Sequence, residues 1–224
     1  MATETGSTRG PGRPGAGTPA VPEERNILRR GLEAFAELGY DHASARELAR
    51  RLGVSHNFIN DRYGSKAAFW RAVIDSALGD QLAALPESDP SLDDEENLRR
   101  SITGFYRNAV ETPEIGRIFV DEYSRDTERL DHLYEHYIGP ALRTMTSGIE
   151  RLAASGRMAP VPMDVLFFAV FPPVSGMLNL PLAERLGRSK ETSPRELTER
   201  AELLASLVVN GLLSTGSAGA PAES

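Results

Sequence analysis

The segment from Ser44 to Trp70 constrains the fold of this 224-residue chain more than any other stretch. Ser44 is followed three residues later by Glu47, a capping box that satisfies two backbone amides at the start of a helix. Apolar residues then recur at helical spacing, and Gly53 suits the left-handed conformation in which a helix often ends. Ser55 follows in the turn and is placed to cap a second short helix. The pattern predicts a helix-turn-helix.

The second helix of this motif leaves a polar face after Ile59 and Tyr63 have turned inward. An asparagine amide can bond adenine in two places, and an arginine can do so with guanine. A solvated surface is the other interpretation of such a face, which the preceding turn disfavours. The residues predicted to contact base pairs are His56, Asn57, Asn60 and Arg62.

A further helix begins directly after this motif, with Ser65 as its predicted cap and Lys66 in its first turn. A helix amino terminus next to a lysine is a natural binding place for a phosphate group. The predicted phosphate contacts are Ser44, Arg46, Ser55 and Lys66, and Tyr63 is also predicted to take part in DNA binding.

Taken together, these features resemble the DNA-binding domain of the TetR family of bacterial transcriptional regulators. The resemblance covers about residues 24–75, and one departure is Asn60, where the family often has a tyrosine that contacts phosphate. That contact is lost here or replaced by a base contact. The resemblance rests on Phe35, Gly39, Gly53, Val54, Ser55, Ile59, Tyr63, Ser65 and Lys66.

The charge of the chain is unevenly distributed. Its net charge is −7, yet the first 80 residues carry 11 Lys and Arg against 10 Asp and Glu. A near-neutral amino-terminal part on an acidic body favours site-specific over indiscriminate DNA binding, because nonspecific affinity grows with the number of phosphates neutralised. The absence of cysteine excludes disulfides and thiolate metal sites.

No apolar run approaches the roughly 20 residues needed to span a bilayer, and there is no signal-peptide core. We therefore expect a cytoplasmic protein that does not associate with membranes.

Composition divides the chain into four parts. Residues 1–22 are rich in Gly, Pro, Thr and Ala and are predicted to be a disordered tail, either inert or a minor-groove arm through Arg9 and Arg13. The other predicted parts are a helix-turn-helix domain at 23–85, a helical ligand-binding and dimerisation domain at 86–214, and a second disordered tail at 215–224.

Beyond Pro86 every long apolar pattern has helical spacing, so the predicted fold class is all-α, with a helical bundle following the helix-turn-helix domain. Ser193 and Glu196 form a second capping box before the last helix. The predicted helices lie near 94–111, 114–125, 127–154, 163–185 and 194–213, with a kink at Pro172-Pro173.

The last two predicted helices are apolar on more than one face, which requires cover on more than one side. The family resemblance implies that these helices pair with their copies in a homodimer. Each recognition helix would then bind one half of an inverted-repeat operator.

The resemblance also implies a small-molecule effector in the bundle. Phe119, Tyr123 and Tyr137 are candidate pocket residues, because a tyrosine combines an apolar body with a polar tip; ordinary core packing is the alternative. His132 and His136 have a spacing that could serve a metal, but Asp131 and Glu135 beside them indicate a solvated face. We predict no metal and no cofactor.

These features predict a transcriptional regulator of the repressor type, which binds a double-stranded DNA operator as a dimer and is released by a small molecule. The chain shows no phosphate-binding glycine loop or nucleophile elbow, so no enzymatic activity is predicted. The alternative is a helical small-molecule-binding or protein-interaction module without operator specificity.

Overall fold

The computed structural model describes residues 23–214, and all regular structure in that range is helical. The predicted tails at 1–22 and 215–224, together with Arg9 and Arg13, lie outside the described residues. The first helices in the described range are α1 (Glu24–Leu38), α2 (Ala45–Leu52), α3 (Phe58–Tyr63) and α4 (Lys66–Ala83).

The rest of the described range continues as helices joined by short connections. A π-helical turn at Tyr134–Ile138 joins α7 to α8 without a break in the helical path. The elements are α5 (Asp94–Glu111), α6 (Pro113–Glu122), α7 (Glu128–Leu133), α8 (Gly139–Ala154), α9 (Met163–Val170), α10 (Pro172–Met177), α11 (Leu180–Arg185) and α12 (Pro194–Ser214).

The first apolar core surrounds the contact between α1 and α4. A Cβ atom at Gly31 would lie 2.7 Å from both the Phe69 Cζ and the Val73 Cγ2 atoms, so only glycine permits this close approach of the two helices. Ile118 of α6 and Leu133 of α7 enter the same core. The helix-turn-helix therefore shares its interior with the helices that follow it.

The second core lies between α5 and α12. Small residues of α12, Ala201 and Ala205, are fully buried and allow the two helices to pack closely. The Tyr106 hydroxyl donates a hydrogen bond to the Val170 carbonyl at 2.8 Å, and burial raises the pKa of Tyr106 to about 12. The capping box that opens α12 is complete, since the Ser193 hydroxyl accepts the Glu196 amide at 3.3 Å and the Glu196 carboxylate accepts the Ser193 amide at 2.7 Å.

Two predicted helices differ from the structure. The helix predicted at 127–154 is present but contains the π-helical turn. The helix predicted at 163–185 is divided into α9, α10 and α11. The first break is at Pro172-Pro173, as predicted, because proline lacks the amide that continues the helical bonding. The second, which was not predicted, is at Asn179, whose side chain accepts the Leu182 amide and so starts α11.

An apolar surface remains uncovered on α9 and α12. Phe168 of α9 is 61% exposed, Leu207 of α12 is 62% exposed, and Val165 and Leu203 are exposed on the same two helices. Isolated exposed apolar residues are common, but a cluster of this kind marks an interaction surface. Within residues 23–214, no helix has the length and apolarity required to cross a bilayer.

Candidate nucleic-acid interface

Helix α2 begins at the predicted cap but uses only half of the predicted capping box. The Ser44 hydroxyl accepts the Glu47 amide at 3.2 Å, which confirms the cap. The Glu47 carboxylate does not reach back to the Ser44 amide, which donates instead to the His42 carbonyl at 3.1 Å. It accepts hydrogen bonds from Arg50 and Arg51, and these bonds lower the pKa of Glu47 to about 2.

The turn after α2 depends on a residue that the motif does not contain. Gly53 has φ +71°, the left-handed conformation predicted for it. The guanidinium of Arg30, on α1, donates to the carbonyls of Leu52 at 3.0 Å and Arg51 at 2.6 Å. It thereby satisfies carbonyl groups that a helix end leaves free. No local sequence signal indicates this contact, because Arg30 lies far upstream in the chain.

Helix α3 is shorter than predicted at its beginning. It starts at Phe58, because the Ser55 carbonyl accepts the Phe58 amide at 3.0 Å and closes a turn first. The predicted cap by the Ser55 side chain is therefore wrong. Ile59 is fully buried and anchors the helix. The exposed residues on the opposite side are Ser55, His56, Asn57, Asn60, Asp61 and Arg62.

Arg62 and Tyr63, both predicted to bind DNA, are engaged within the protein. Arg62 donates to the Glu24 carboxylate at 3.1 Å, in an ion pair that is about half exposed. Tyr63 packs its ring against Phe69, with 4.8 Å between the ring centroids, and its hydroxyl is buried. Burial raises the pKa of Tyr63. In this conformation Tyr63 supports the core, and its hydroxyl does not face solvent.

The start of α4 confirms the second predicted cap. The Ser65 hydroxyl accepts the Ala68 amide at 3.0 Å. Lys66 donates from Nζ to the Tyr40 carbonyl at 2.9 Å, and its Nζ lies 4.1 Å from the centroid of the Tyr40 ring. Burial lowers the pKa of Lys66. Of the remaining predicted phosphate contacts, Ser44 and Arg46 are both exposed at the start of α2.

Phe119, Tyr123 and Tyr137 line one cavity of about 80 Å³ in the helical bundle. Phe119 and Tyr123 lie on the same side of α6 and the residue after it, with 5.5 Å between ring centroids. Burial alone raises the pKa of Tyr123, and no hydrogen bond from the described residues contributes to that shift. The Tyr137 hydroxyl donates to Asp75 Oδ1 of α4 at 2.6 Å.

The two histidines with a spacing that could serve a metal both contact other groups of the protein. His132 Nε2 lies 2.7 Å from Asp75 Oδ1, and His136 Nδ1 lies 3.1 Å from the His132 carbonyl oxygen. In the part of the chain that the structure describes, no group of three or more His, Cys, Asp or Glu side chains could hold a metal ion.

The capped α2, the glycine turn and the exposed α3 define a helix-turn-helix domain, followed by a second all-helical region. The family model described as "Bacterial regulatory proteins, tetR family" matches residues 27–73. Over these residues the chain is similar to the DNA-binding domain of TetR-family regulators.

One curated relative is similar to part of the chain. An HTH-type transcriptional regulator of Bacillus subtilis strain 168, YezE, is 33% identical over 61 residues, which is 27% of this chain. That alignment spans 31% of the length of the relative.

Solved structures show the same fold along most of the described chain. The TetR family regulator PfmR from Thermus thermophilus matches with a TM-score of 0.59 and 24% identity, over 83% of this chain and 95% of that one. FadR from Bacillus subtilis, solved in complex with stearoyl-CoA, matches with a TM-score of 0.61 and 13% identity, over 84% of this chain and 99% of that one.

Proposed function

We propose that this protein is a sequence-specific transcriptional regulator, a repressor that binds an inverted-repeat operator as a homodimer in the cytoplasm. The observation that carries the proposal is the exposed polar face of α3, held by the buried Ile59 across a capped α2. An asparagine-rich face on a short, firmly anchored helix suits the major groove, where base edges differ in their donors and acceptors.

Contacts with the operator divide into two groups by chemistry. Ser44, Arg46, Ser55 and Lys66 lie around the amino termini of α2 and α4 or in the turn, where phosphate oxygens are bound. The proposed base contacts are His56, Asn57, Asn60 and Arg62. Arg62 would exchange its ion pair with Glu24 for a base or phosphate, at small cost because that pair is exposed.

Tyr63 takes a different part in this proposal. Its buried ring keeps α3 in position against Phe69, so its effect on DNA binding is through the orientation of the helix.

The dimer is proposed through the exposed apolar faces of α9 and α12. Leu203 and Leu207 are four residues apart on one side of α12, and Val165 and Phe168 are exposed on α9, which packs into the same core as α12. A two-fold axis through this surface covers the same patch on both protomers. It would place the two recognition helices at half-sites separated by about one helical turn, ~34 Å, or a multiple of that distance.

The effector is proposed to bind in the cavity lined by Phe119, Tyr123 and Tyr137. Its lining contains no Asp, Glu, Lys, Arg or His, which favours an uncharged, largely apolar ligand. The Tyr123 hydroxyl is available to orient it. At about 80 Å³ the cavity holds only a few waters, so a larger effector must move the surrounding helices apart. That movement is the proposed cause of release from DNA.

Selection of bound sequences from a random duplex pool, at near-physiological salt, tests the proposal with the full-length protein. An enriched inverted repeat supports operator binding by a two-fold dimer. A folded, dimeric protein that enriches no sequence contradicts it and favours a helical binding module. Such a module would also be indifferent to substitution of Asn57, Asn60 or Lys66.

A further inference from the structure

One aromatic ring at the junction of the two regions contacts two cations. The ring of Tyr40, in the loop after α1, has Lys66 Nζ at 4.1 Å and Arg129 Cζ at 3.9 Å from its centroid. Both distances are within the range of cation–π attraction. Lys66 comes from the start of α4 and Arg129 from α7. We call Tyr40, Lys66 and Arg129 the Tyr40 clamp.

Lys66 is fixed by this arrangement more firmly than a surface lysine would be. Its ammonium group donates to the Tyr40 carbonyl at 2.9 Å as well as lying over the ring. An ammonium group has three donors, so two remain for a phosphate. Burial lowers the pKa of Lys66; the Asp41 carboxylate acts in the opposite direction, and the positive charge of Arg129 acts in the same direction as burial. A flexible four-carbon side chain is thus held in place before DNA arrives.

Arg129 is itself fixed by a buried carboxylate. Its Nε donates to Glu122 Oε1 at 2.7 Å, and Glu122 is only 1% exposed. The Thr127 hydroxyl donates to the other oxygen of Glu122 at 3.2 Å. A buried charge must keep its partner. Arg129 is therefore tied to the end of α6, and its position over Tyr40 follows that of Glu122.

Glu122 connects the clamp to the cavity. It is the last residue of α6, and it lies in the chain between Phe119 and Tyr123, which line the cavity. A second contact runs in parallel, because Arg125 pairs with Asp41, the residue after Tyr40. Movement of α6 would therefore be transmitted to the loop that holds Lys66.

We propose that the Tyr40 clamp is a positioning device, which holds Lys66 in place for an operator phosphate and ties its location to α6 through Arg129 and Glu122. This inference rests on the proposed function. It makes Tyr40, Arg129 and Glu122 determinants of DNA affinity although none of them is proposed to contact DNA. If these three residues had a purely structural role, their substitution would change stability and leave the phosphate contact of Lys66 unaltered.

A double-mutant cycle on the selected operator separates these roles. Lys66→Ala is expected to weaken binding and to reduce the salt slope by about 0.9, the value for one phosphate contact. Tyr40→Leu removes the ring and is expected to weaken binding about 3- to 10-fold. Tyr40→Phe keeps the ring and should bind as the wild type does. In the Lys66→Ala background, Tyr40→Leu should have no further effect.

The connection to α6 is tested without altering Tyr40, which also packs against Phe35 and Trp70. The double variant Glu122→Gln, Arg129→Gln replaces the ion pair with two amides that can bond each other, so no buried charge is left alone.

The Glu122→Gln, Arg129→Gln variant should bind the operator more weakly than the wild type, and this loss of affinity should disappear when Lys66 is alanine. Arg71→Met is the matched control, because the Arg71–Glu128 pair also joins α4 to α7 but does not contact Tyr40. Melting curves of all variants establish that they are folded.

A second measurement needs no DNA. The chain contains only two lysines, Lys66 and Lys190, so lysine labelled with ¹³C at Cε gives resonances that the Lys66→Ala variant assigns. In the Glu122→Gln, Arg129→Gln variant the pKa of Lys66 should rise, because Arg129, which lowers it, is gone while Asp41, which raises it, remains; the lost charge of Glu122 is not among the groups that shift it. An unchanged titration contradicts the clamp.

Additive losses in the cycle also contradict the clamp, even when the operator is bound normally. A wild-type protein that enriches no DNA sequence contradicts the proposed function itself, and the clamp with it.

Discussion

Replacing Leu207 with alanine tests the proposed dimer surface with a magnitude that follows from its exposure. The substitution removes three carbon groups, worth about 0.8 kcal/mol each when fully buried, or ~2.4 kcal/mol in total. Leu207 is 62% exposed in the protomer, so covering it in a dimer contributes about 1.5 kcal/mol of this. A two-fold interface contains the residue twice, which gives ~3 kcal/mol and a dimer dissociation constant raised roughly 100- to 200-fold.

Sedimentation equilibrium over a wide range of protein concentration measures this change directly. Leu82→Ala is the control, since Leu82 is an exposed leucine that belongs to α4 and not to α9 or α12. Operator affinity at low protein concentration should fall with the dimer population. If Leu207→Ala dimerises as tightly as the wild type, the face formed by α9 and α12 is not the interface, and the assignment of the two-fold axis is wrong.

Three further substitutions test the DNA face, the α1–α4 contact and an acid-sensitive bond. Asn57→Ala should cost about 1–3 kcal/mol of operator affinity and relax the preference at one base pair; a repeated selection with an unchanged preference would reject the assignment. Gly31→Ala should lower the free energy of unfolding by about 1–3 kcal/mol through overpacking, measured by thermal melting. A Cβ atom at Gly79 would have no neighbouring group within 4 Å, so Gly79→Ala should instead raise the free energy of unfolding by up to about 1 kcal/mol. Glu47 has its pKa lowered from 4.5 to about 2, so its contribution to stability is complete above pH 4.5 and lost as pH falls through 2. The difference in stability between the wild type and Glu47→Gln should shrink as pH falls through that window. A constant difference would show that the bonds from Arg50 and Arg51 to Glu47 do not contribute to stability.

The helix-turn-helix could be predicted from the sequence because its determinants are local. Ser44 and Ser65 cap the helices that follow them, and Gly53 adopts the left-handed conformation that its position requires. Such signals act over three or four residues and do not depend on the rest of the fold. Glu47 shows the limit of this reasoning, since nearby arginines compete successfully for its carboxylate.

The contacts between residues far apart in the chain or on different helices could not be predicted in the same way. Arg30 closes the end of α2 from a different helix, and Glu122 and Arg129 form a buried ion pair where the sequence shows only an acidic and a basic residue. Charged residues are usually exposed, so pattern alone places them on the surface. Tyr63 is ambiguous for a related reason, because an aromatic residue at the end of a recognition helix can face either the core or the DNA.

The cavity could be predicted from the sequence only in part. Phe119 and Tyr123 are four residues apart, and this spacing places them together on one side of α6. Tyr137 joins them from a different element, the π-helical turn, and π-helical turns have no clear sequence signature.

The π-helical turn at Tyr134–Ile138 accommodates one residue more than an α-helical path from α7 to α8 would hold. A π-helical turn holds one more residue than an α-helical one, which rotates everything after it by about 100°. Leu133 packs into the first core and Leu152 into the second. With the extra residue both side chains point the same way, whereas an unbroken α-helix would set them about 100° apart. Deleting one residue from this turn would leave an α-helical turn with Leu133 and Leu152 still in phase. Adding a residue would turn Ile149 and Leu152 away from α5, so natural variation in this segment should include the loss of one residue but not the gain of one.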